Sequence, residues 1–292
     1  MEFIPEVRQP VVAGYFYPSD PESLKKAIIN SFKHPLGPGA LPEVSSTRKK
    51  ISTGFVVPHA GYVYSGPIAA HSYYHLAQEG VPETIIIIGP NHTGYGSLVS
   101  VYPKGKWATP LGEVEIDEDL ARNIVNNSNY AELDAYAHIE EHSIEVQLPF
   151  IQFLYGDKVK IVPIVLAIQT PEVARDLAKA ISDAKTSTGR DIVILASTDF
   201  THYEPHDMAM KKDLEAIKAL ESLDIDRFYN IIRKLNVTAC GPGGIMVLAE
   251  YTKLEYGDKA VMRLLKYATS GDTSGDKSAV VGYAAIQFYR KE

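Results

Sequence analysis

A single α/β sandwich, with helices on both faces of one central sheet, is the fold class this sequence predicts. Three observations carry that expectation. Short β-branched runs recur along the chain and are nearly continuous in apolar character, as in strands buried on both faces. Amphipathic stretches separate these runs, so strand and helix alternate as in βαβ units with right-handed crossovers. Across the 292 residues there is no internal repeat and no break in composition, which favours one domain over residues 1–292 rather than two small ones.

The elements follow in order. Gly54-Phe55-Val56-Val57 reads as a strand, followed by a Gly/Tyr-rich loop and a helix near Pro67 to Ala77. Thr84-Ile85-Ile86-Ile87-Ile88 reads as a second, fully buried strand. Val159 to Leu166 and Asp191 to Leu195 repeat the pattern, with a helix near Pro171 to Lys185 between them. Shorter strands are expected near Leu98 to Tyr102 and Gly112 to Ile116, and two closing strands near Ala260 to Ala268 and Val280 to Phe288. Helix starts are signalled at Ser19-Asp20-Pro21-Glu22 and near Asp117, where cap or acidic residues precede periodic segments. His34 to Lys50, rich in Pro, Gly and Ser, reads as a long loop.

Composition narrows the function classes. Hydrophobic residues at 45% and charged residues at 22% are ordinary for a globular chain with a sizeable core. A formal net charge of −7 without a Lys/Arg stripe argues against nucleic acid and gives no reason to sit on an anionic membrane. No apolar run approaches the roughly 20 residues of a transmembrane helix, and Met1 to Glu6 lacks a signal-peptide pattern. A single cysteine cannot form an internal disulfide, which fits a cytoplasmic protein. Symmetric dimers are the commonest soluble assemblies, so a homo-oligomer is the default expectation.

The histidines fall where chemistry is expected. His59 follows the first core strand, in Val57-Pro58-His59-Ala60-Gly61-Tyr62, and His92 the second, in Gly89-Pro90-Asn91-His92. Asp199 and His202 follow a third, in Ser197-Thr198-Asp199-Phe200-Thr201-His202-Tyr203. Ligands of open α/β sheets bind outside the carboxyl ends of the strands, so three strands deliver imidazole or carboxylate to one edge. Any one of them alone reads as a surface or hydrogen-bonded residue. Together they form a metal-capable set, because neutral imidazole is the commonest protein metal ligand.

Cys240 lies in Ala239-Cys240-Gly241-Pro242-Gly243-Gly244, just before an apolar helix from Ile245 to Tyr256. A helix N-terminus favours thiolate, whereas the ordinary reading is a small buried loop cysteine. His142 lies in a helix start, Glu140 to Pro149, where His142 and Glu145 are three apart and share a face. The competing reading is a solvated acidic first turn. His71 and His75 read as packing or surface residues, and His34, His138 and His206 have no context to recommend them. Tyr62, Tyr64, Tyr95 and Tyr203 cluster at the same edge, as a pocket lining or as plain packing. Gly271 to Asp276 joins the closing strands as a polar loop that could reach the pocket. There is no Walker loop, dinucleotide fingerprint or nucleophile elbow, so no nucleotide cofactor is expected.

These motifs resemble those of the Memo family (proteins like the mediator of ErbB2-driven cell motility). The resemblance runs nearly end to end, on Ala13-Gly14-Tyr15-Phe16-Tyr17-Pro18, Pro58-His59-Ala60-Gly61-Tyr62, Gly89-Pro90-Asn91-His92, Glu141-His142-Ser143-Ile144-Glu145, Ser197 to Tyr203 and Cys240-Gly241. Memo proteins are similar in fold to class III extradiol dioxygenases, non-haem iron enzymes, which implies a mixed central sheet flanked by helices. By motif, the resemblance makes His59 and His92 metal ligands and His202 an acid/base. Cys240 falls where those enzymes place a glutamate ligand. Two imidazoles and a thiolate are softer than a 2-His-1-carboxylate set and suit iron or copper first and zinc after them, which argues against ring cleavage.

The expected protein is therefore a metal-binding, redox-active one with a dioxygenase-like pocket. His59, His92 and Cys240 are its expected ligands, and His202, Asp199 and His142 its expected catalytic residues. A binding module that captures an anionic peptide or small ligand in the same cleft is the rival. A hydrolase using metal-bound water stands behind both.

Overall fold

The computed structural model describes residues 4–292. The chain opens with β1 (Val7–Arg8), α1 (Pro21–Lys33), β2 (Ser52–Val57), α2 (Tyr62–Gln78), β3 (Thr84–Pro90) and β4 (Val99–Val101). It continues through β5 (Lys106–Thr109), β6 (Gly112–Glu115), α3 (Glu118–Asn126), β7 (Ala131–Leu133), α4 (Leu148–Tyr155), β8 (Lys160–Leu166) and α5 (Pro171–Thr188). Then come β9 (Ile192–Ser197), β10 (His202–Glu204), α6 (His206–Ala219), α7 (Ile225–Lys234) and α8 (Pro242–Tyr256). β11 (Ala260–Thr269), α9 (Ser270–Ser274) and β12 (Val280–Arg290) close the chain.

The main sheet runs β10-β12-β2-β9-β3-β8-β4-β7, with β11 paired along the other edge of β12. Its centre, β2-β9-β3-β8, is parallel. β12 joins β2 and β4 joins β8 antiparallel, so the sheet is mixed. The period of two in a strand explains the isoleucine run. Ile86 and Ile88 face one apolar layer built with α3, α5, α7 and α8, and Ile85 and Ile87 face the other, built with α1, α2 and α4. All four isoleucines are fully buried, which is why the run shows no polar alternation.

Helix starts follow their caps. Asp20 accepts from Ser23 N–H at 2.8 Å with Pro21 in the first turn, and Thr170 accepts from Val173 N–H ahead of Pro171. Asp117 caps α3 through Leu120 N–H.

Three features depart from expectation. The strand anticipated at 112–116 is β6, but it belongs to a separate three-stranded sheet, β1-β5-β6. The region 140–149 is not a helix start at His142: it is an irregular segment, then a 3₁₀ turn at Glu145–Gln147, and α4 begins only at Leu148, with Pro149 in its first turn. Gly271 to Asp276 is not a plain loop, since Thr269 and Asp272 form a capping box that starts α9.

Beside β1, the rings of Tyr102, Trp107 and His138 pack edge-on with centroids 5.2 to 5.7 Å apart. His138 is fully buried and donates Nε2–H to Ser100 O at 2.9 Å. Burial pushes its pKa down to about 4 from 6.5. The unfolded chain therefore binds a proton between those values that the folded chain refuses, so stability falls as pH drops from 6.5 towards 4. The expected loss from this residue is on the order of 3 kcal/mol. Chemical denaturation at pH 7 and pH 4 checks it: His138→Gln should lose that much less than the parent chain, and equal losses would exclude the assignment.

Candidate metal centre

The parallel register pairs Val57 with Ser197, so His59 and Asp199, each two residues further on, stand level past the strand ends. Asp199 Oδ1 accepts His59 N–H at 2.9 Å, which closes the two loops on each other. His92 follows β3, on the far side of β9 in the same sheet. The irregular segment ahead of α4 brings His142 in beneath them.

Two of the imidazoles, His59 and His92, are oriented from behind. Ser197 donates its proton to Ser143 O at 2.6 Å, so its oxygen accepts from His59 Nδ1 at 2.9 Å. His59 Nε2 is left as a lone pair turned to the cavity. Glu141, 1% exposed, accepts His92 N–H and Nδ1–H, both at 2.7 Å, and also His142 N–H at 3.0 Å. That carboxylate fixes the His92 tautomer with Nε2 free, an arrangement typical of metal-binding histidines. Burial raises the Glu141 carboxyl, but hydrogen bonds from His92 outweigh it and hold the pKa below the usual value. Neither ring nitrogen of His142 makes a hydrogen bond among the described residues.

His59 stands edge-on to His92 and to His142, with centroids 5.4 Å apart in each pair, while His92 and His142 stack at 4.5 Å. One nitrogen from each of the three lies within 4.8 Å of the others, close enough to hold a metal ion. Burial, with the neighbouring imidazoles, presses the His59 pKa well below its ordinary value. Burial also lowers that of His142. His59 and His142 are therefore neutral at neutral pH, the form that ligates.

The imidazoles form the base of an open cavity of about 700 Å³. Phe16, Tyr64, Tyr203 and Tyr283 line its walls with Asp199, His202, Cys240 and Ser270, and no Lys or Arg is among the lining residues. Tyr203 has φ 61° and is 78% exposed at the rim. A bulky residue in the left-handed region is uncommon, and such strain concentrates at functional sites.

The sequence has relatives. A family profile described as Memo-like protein matches residues 8–287. The chain belongs to the Memo family. A MEMO1 family protein of Desulfurococcus amylolyticus is 57% identical over 282 residues, spanning 97% of this chain and 99% of the relative. MEMO1 family proteins of Ignicoccus hospitalis and Sulfurisphaera tokodaii are 56% and 52% identical, each over 97% of this chain and 98% and 99% of their own lengths.

In this Memo chain all six expected site residues line one cavity, but not in equal parts. His59 and His92 belong to the three-imidazole grouping, and its third member is His142. Cys240 stands beside it, with Sγ 3.3 Å from His59 Nε2 and accepting Asp199 N–H at 3.3 Å. The helix dipole does not govern its thiol: burial, aided by the Asp199 carboxylate, pushes the pKa up to about 12. Burial likewise raises the Asp199 carboxyl. His202 donates Nδ1–H to Thr238 O at 2.8 Å, which leaves Nε2 as an acceptor.

Glu145 does not turn inward with His142, because its carboxylate pairs with Arg8 instead. Of the Tyr residues, Tyr64 and Tyr203 line the cavity, Tyr62 is buried with its hydroxyl on Val146 O, and Tyr95 stacks on Tyr136. The orienting residues Glu141, Ser143, Gln147 and Ser197 went unremarked in the sequence, although all but Gln147 lie within the motifs quoted there. No described helix is long and apolar enough to cross a membrane.

Proposed function

We propose that this Memo protein binds a redox-active metal ion, iron or copper, between His59 and His92, with His142 and Cys240 both in reach of it. The observation that carries the reading is the pair of preset lone pairs. Ser197 and Glu141 occupy the Nδ1 atoms of His59 and His92, so each Nε2 presents a lone pair to the pocket, that of His59 toward the Cys240 thiol 3.3 Å away, and burial favours the neutral form of His59. The donor set also fits. Three nitrogens suit copper, iron or zinc, and a sulfur 3.3 Å from His59 Nε2 has the spacing of neighbouring donors on one ion and shifts preference toward softer metals.

The bound ion would supply redox and Lewis-acid chemistry at the floor of the cavity. The chain's own residues do the rest. Aromatic walls receive a small organic ligand, and Phe16 backs His142 at 4.6 Å. His202, with Nδ1–H tied to Thr238, presents Nε2 to take a proton from that ligand. This is a dioxygenase-like arrangement, yet a thiol in place of a carboxylate ligand argues against ring cleavage. Capture of an anionic ligand without a metal is the weaker reading, since no Lys or Arg is among the described residues that line the cavity.

Anaerobic titration of tag-free protein with Fe(II) and Cu(I) tests the proposal. We expect uptake of about one ion per chain and release of about one proton as the Cys240 thiol ionises to ligate. In Cys240→Ser the proton release should disappear. Protein that takes up neither ion overturns the reading.

A further inference from the structure

The segment Glu141–Gln147 touches every imidazole of the centre. Glu141 orients His92, and His142 stands in the segment itself. Ser143 O takes the Ser197 proton and so turns Ser197 Oγ toward His59. Gln147 Nε2 donates to Ser197 Oγ at 3.0 Å and to Pro58 O at 2.9 Å. Whatever fixes this segment fixes all three rings.

One side chain from the far end of the sequence grips it. Arg8, on β1, donates Nε–H to His138 O at 2.9 Å, Nη2–H to Glu141 O at 2.7 Å and Nη1–H to Glu145 Oε2 at 2.8 Å. Its guanidinium lies 4.1 Å from the Trp107 ring centroid. Arg8 is 4% exposed and Glu145 0%. Glu145 in turn accepts from Val11 N–H, Val12 N–H and Tyr17 hydroxyl, at 2.8 to 3.1 Å. Those bonds anchor the stretch that sets Phe16 against His142. A fully bonded buried ion pair is costly to half-remove, and only a planar fork reaches three acceptors at once.

The geometry assigns to Arg8 the role of positioning residue for the metal centre, acting through Glu141 on His92 and through Glu145 on His142. The assignment rests on the metal reading for its ligand, but its first readout needs no metal. Full-length Arg8→Lys is compared with the parent chain in two measurements. Nitrogen NMR of the metal-free proteins reads the His92 tautomer: the parent should hold the proton on Nδ1, and the variant should mix tautomers. Titration with Co(II) as the probe should show affinity at least about tenfold weaker, the scale for lost orienting partners, with displaced visible ligand-field bands.

A folded variant with the parent's tautomer, affinity and spectrum overturns the assignment, whereas a purely structural role would lower thermal stability and leave all three unchanged. If the parent chain binds no Co(II), the tautomer comparison alone decides the role of Arg8, and the metal reading stands or falls on the Fe(II) and Cu(I) titration. If Arg8→Lys does not fold, the same measurements on the near-isosteric Glu145→Gln decide it. Shifts of the same sign are expected, and parent values would overturn it.

Discussion

Alanine at His92 is expected to abolish stoichiometric metal uptake and to leave the fold intact. The side chain is one-third exposed, so little packing is lost. Glu141 keeps the main-chain N–H groups of residues 92 and 142 as partners. What disappears is one of two imidazoles whose lone pair is preset by a hydrogen bond behind the ring. Losing an orienting partner alone weakens metal binding 10- to 100-fold, so losing the ligand should cost at least about 100-fold. Equilibrium dialysis followed by elemental analysis reads the effect, with circular dichroism to confirm folding. His202→Ala is the matched control. Its ring is tethered to Thr238 and lies outside the three-imidazole grouping, so uptake should survive. Parent-level uptake by His92→Ala would remove this residue from the centre.

Gly54→Ala is expected to be the most destabilising single-methyl change in the sheet. Gly54 sits mid-way along β2, in register with Ile194 of β9 and under α8. A Cβ there would lie 2.1 Å from Ile194 O and 2.7 Å from Leu248 Cδ1. The first atom is backbone in the sheet's parallel centre and cannot swing aside. Overpacking usually costs about 1–3 kcal/mol. A backbone clash of this depth belongs in the exceptional range, on the order of 4 kcal/mol, with a fall in Tm on the order of 10 °C. Gly61→Ala, whose added Cβ meets only ordinary contacts at 3.7 Å, gives the reference. Calorimetry distinguishes them, and equal melting temperatures would refute the argument. Because β2 leads directly to His59, weaker metal uptake should accompany the loss.

The parts of the fold that were legible in the sequence were those where one local signal sufficed. Four consecutive isoleucines after a threonine favour a strand covered on both faces, and Asp20-Pro21 favours a helix start. Residues 206–234 carried a signal that went unread: Asp224 caps α7, with Ile225, Phe228 and Ile232 on its buried face. β1, at two residues, has no period to read. The site divides in the same way. His59 and His92 were legible because strand ends have a fixed place in such sheets. The relation of His142 to Glu145 was not, because helical spacing was assumed where the chain is irregular. The partner that draws Glu145 away, Arg8, is 137 residues distant in sequence. Nor could the behaviour of Cys240 be read from the helix that follows it, since desolvation depends on neighbours from other loops.

β9 lies between β2 and β3, and that has a consequence for the order of assembly. His59 and His92 are near each other in sequence, yet their strands are never neighbours. Their native spacing is set only when Ile192–Ser197, from far later in the chain, has inserted between them. An ion therefore cannot template the early sheet. It would meet its donors only in the finished one and would add stability only to that state, by mass action. Loading of such an ion would follow folding, and a chelator should withdraw it while the chain stays folded.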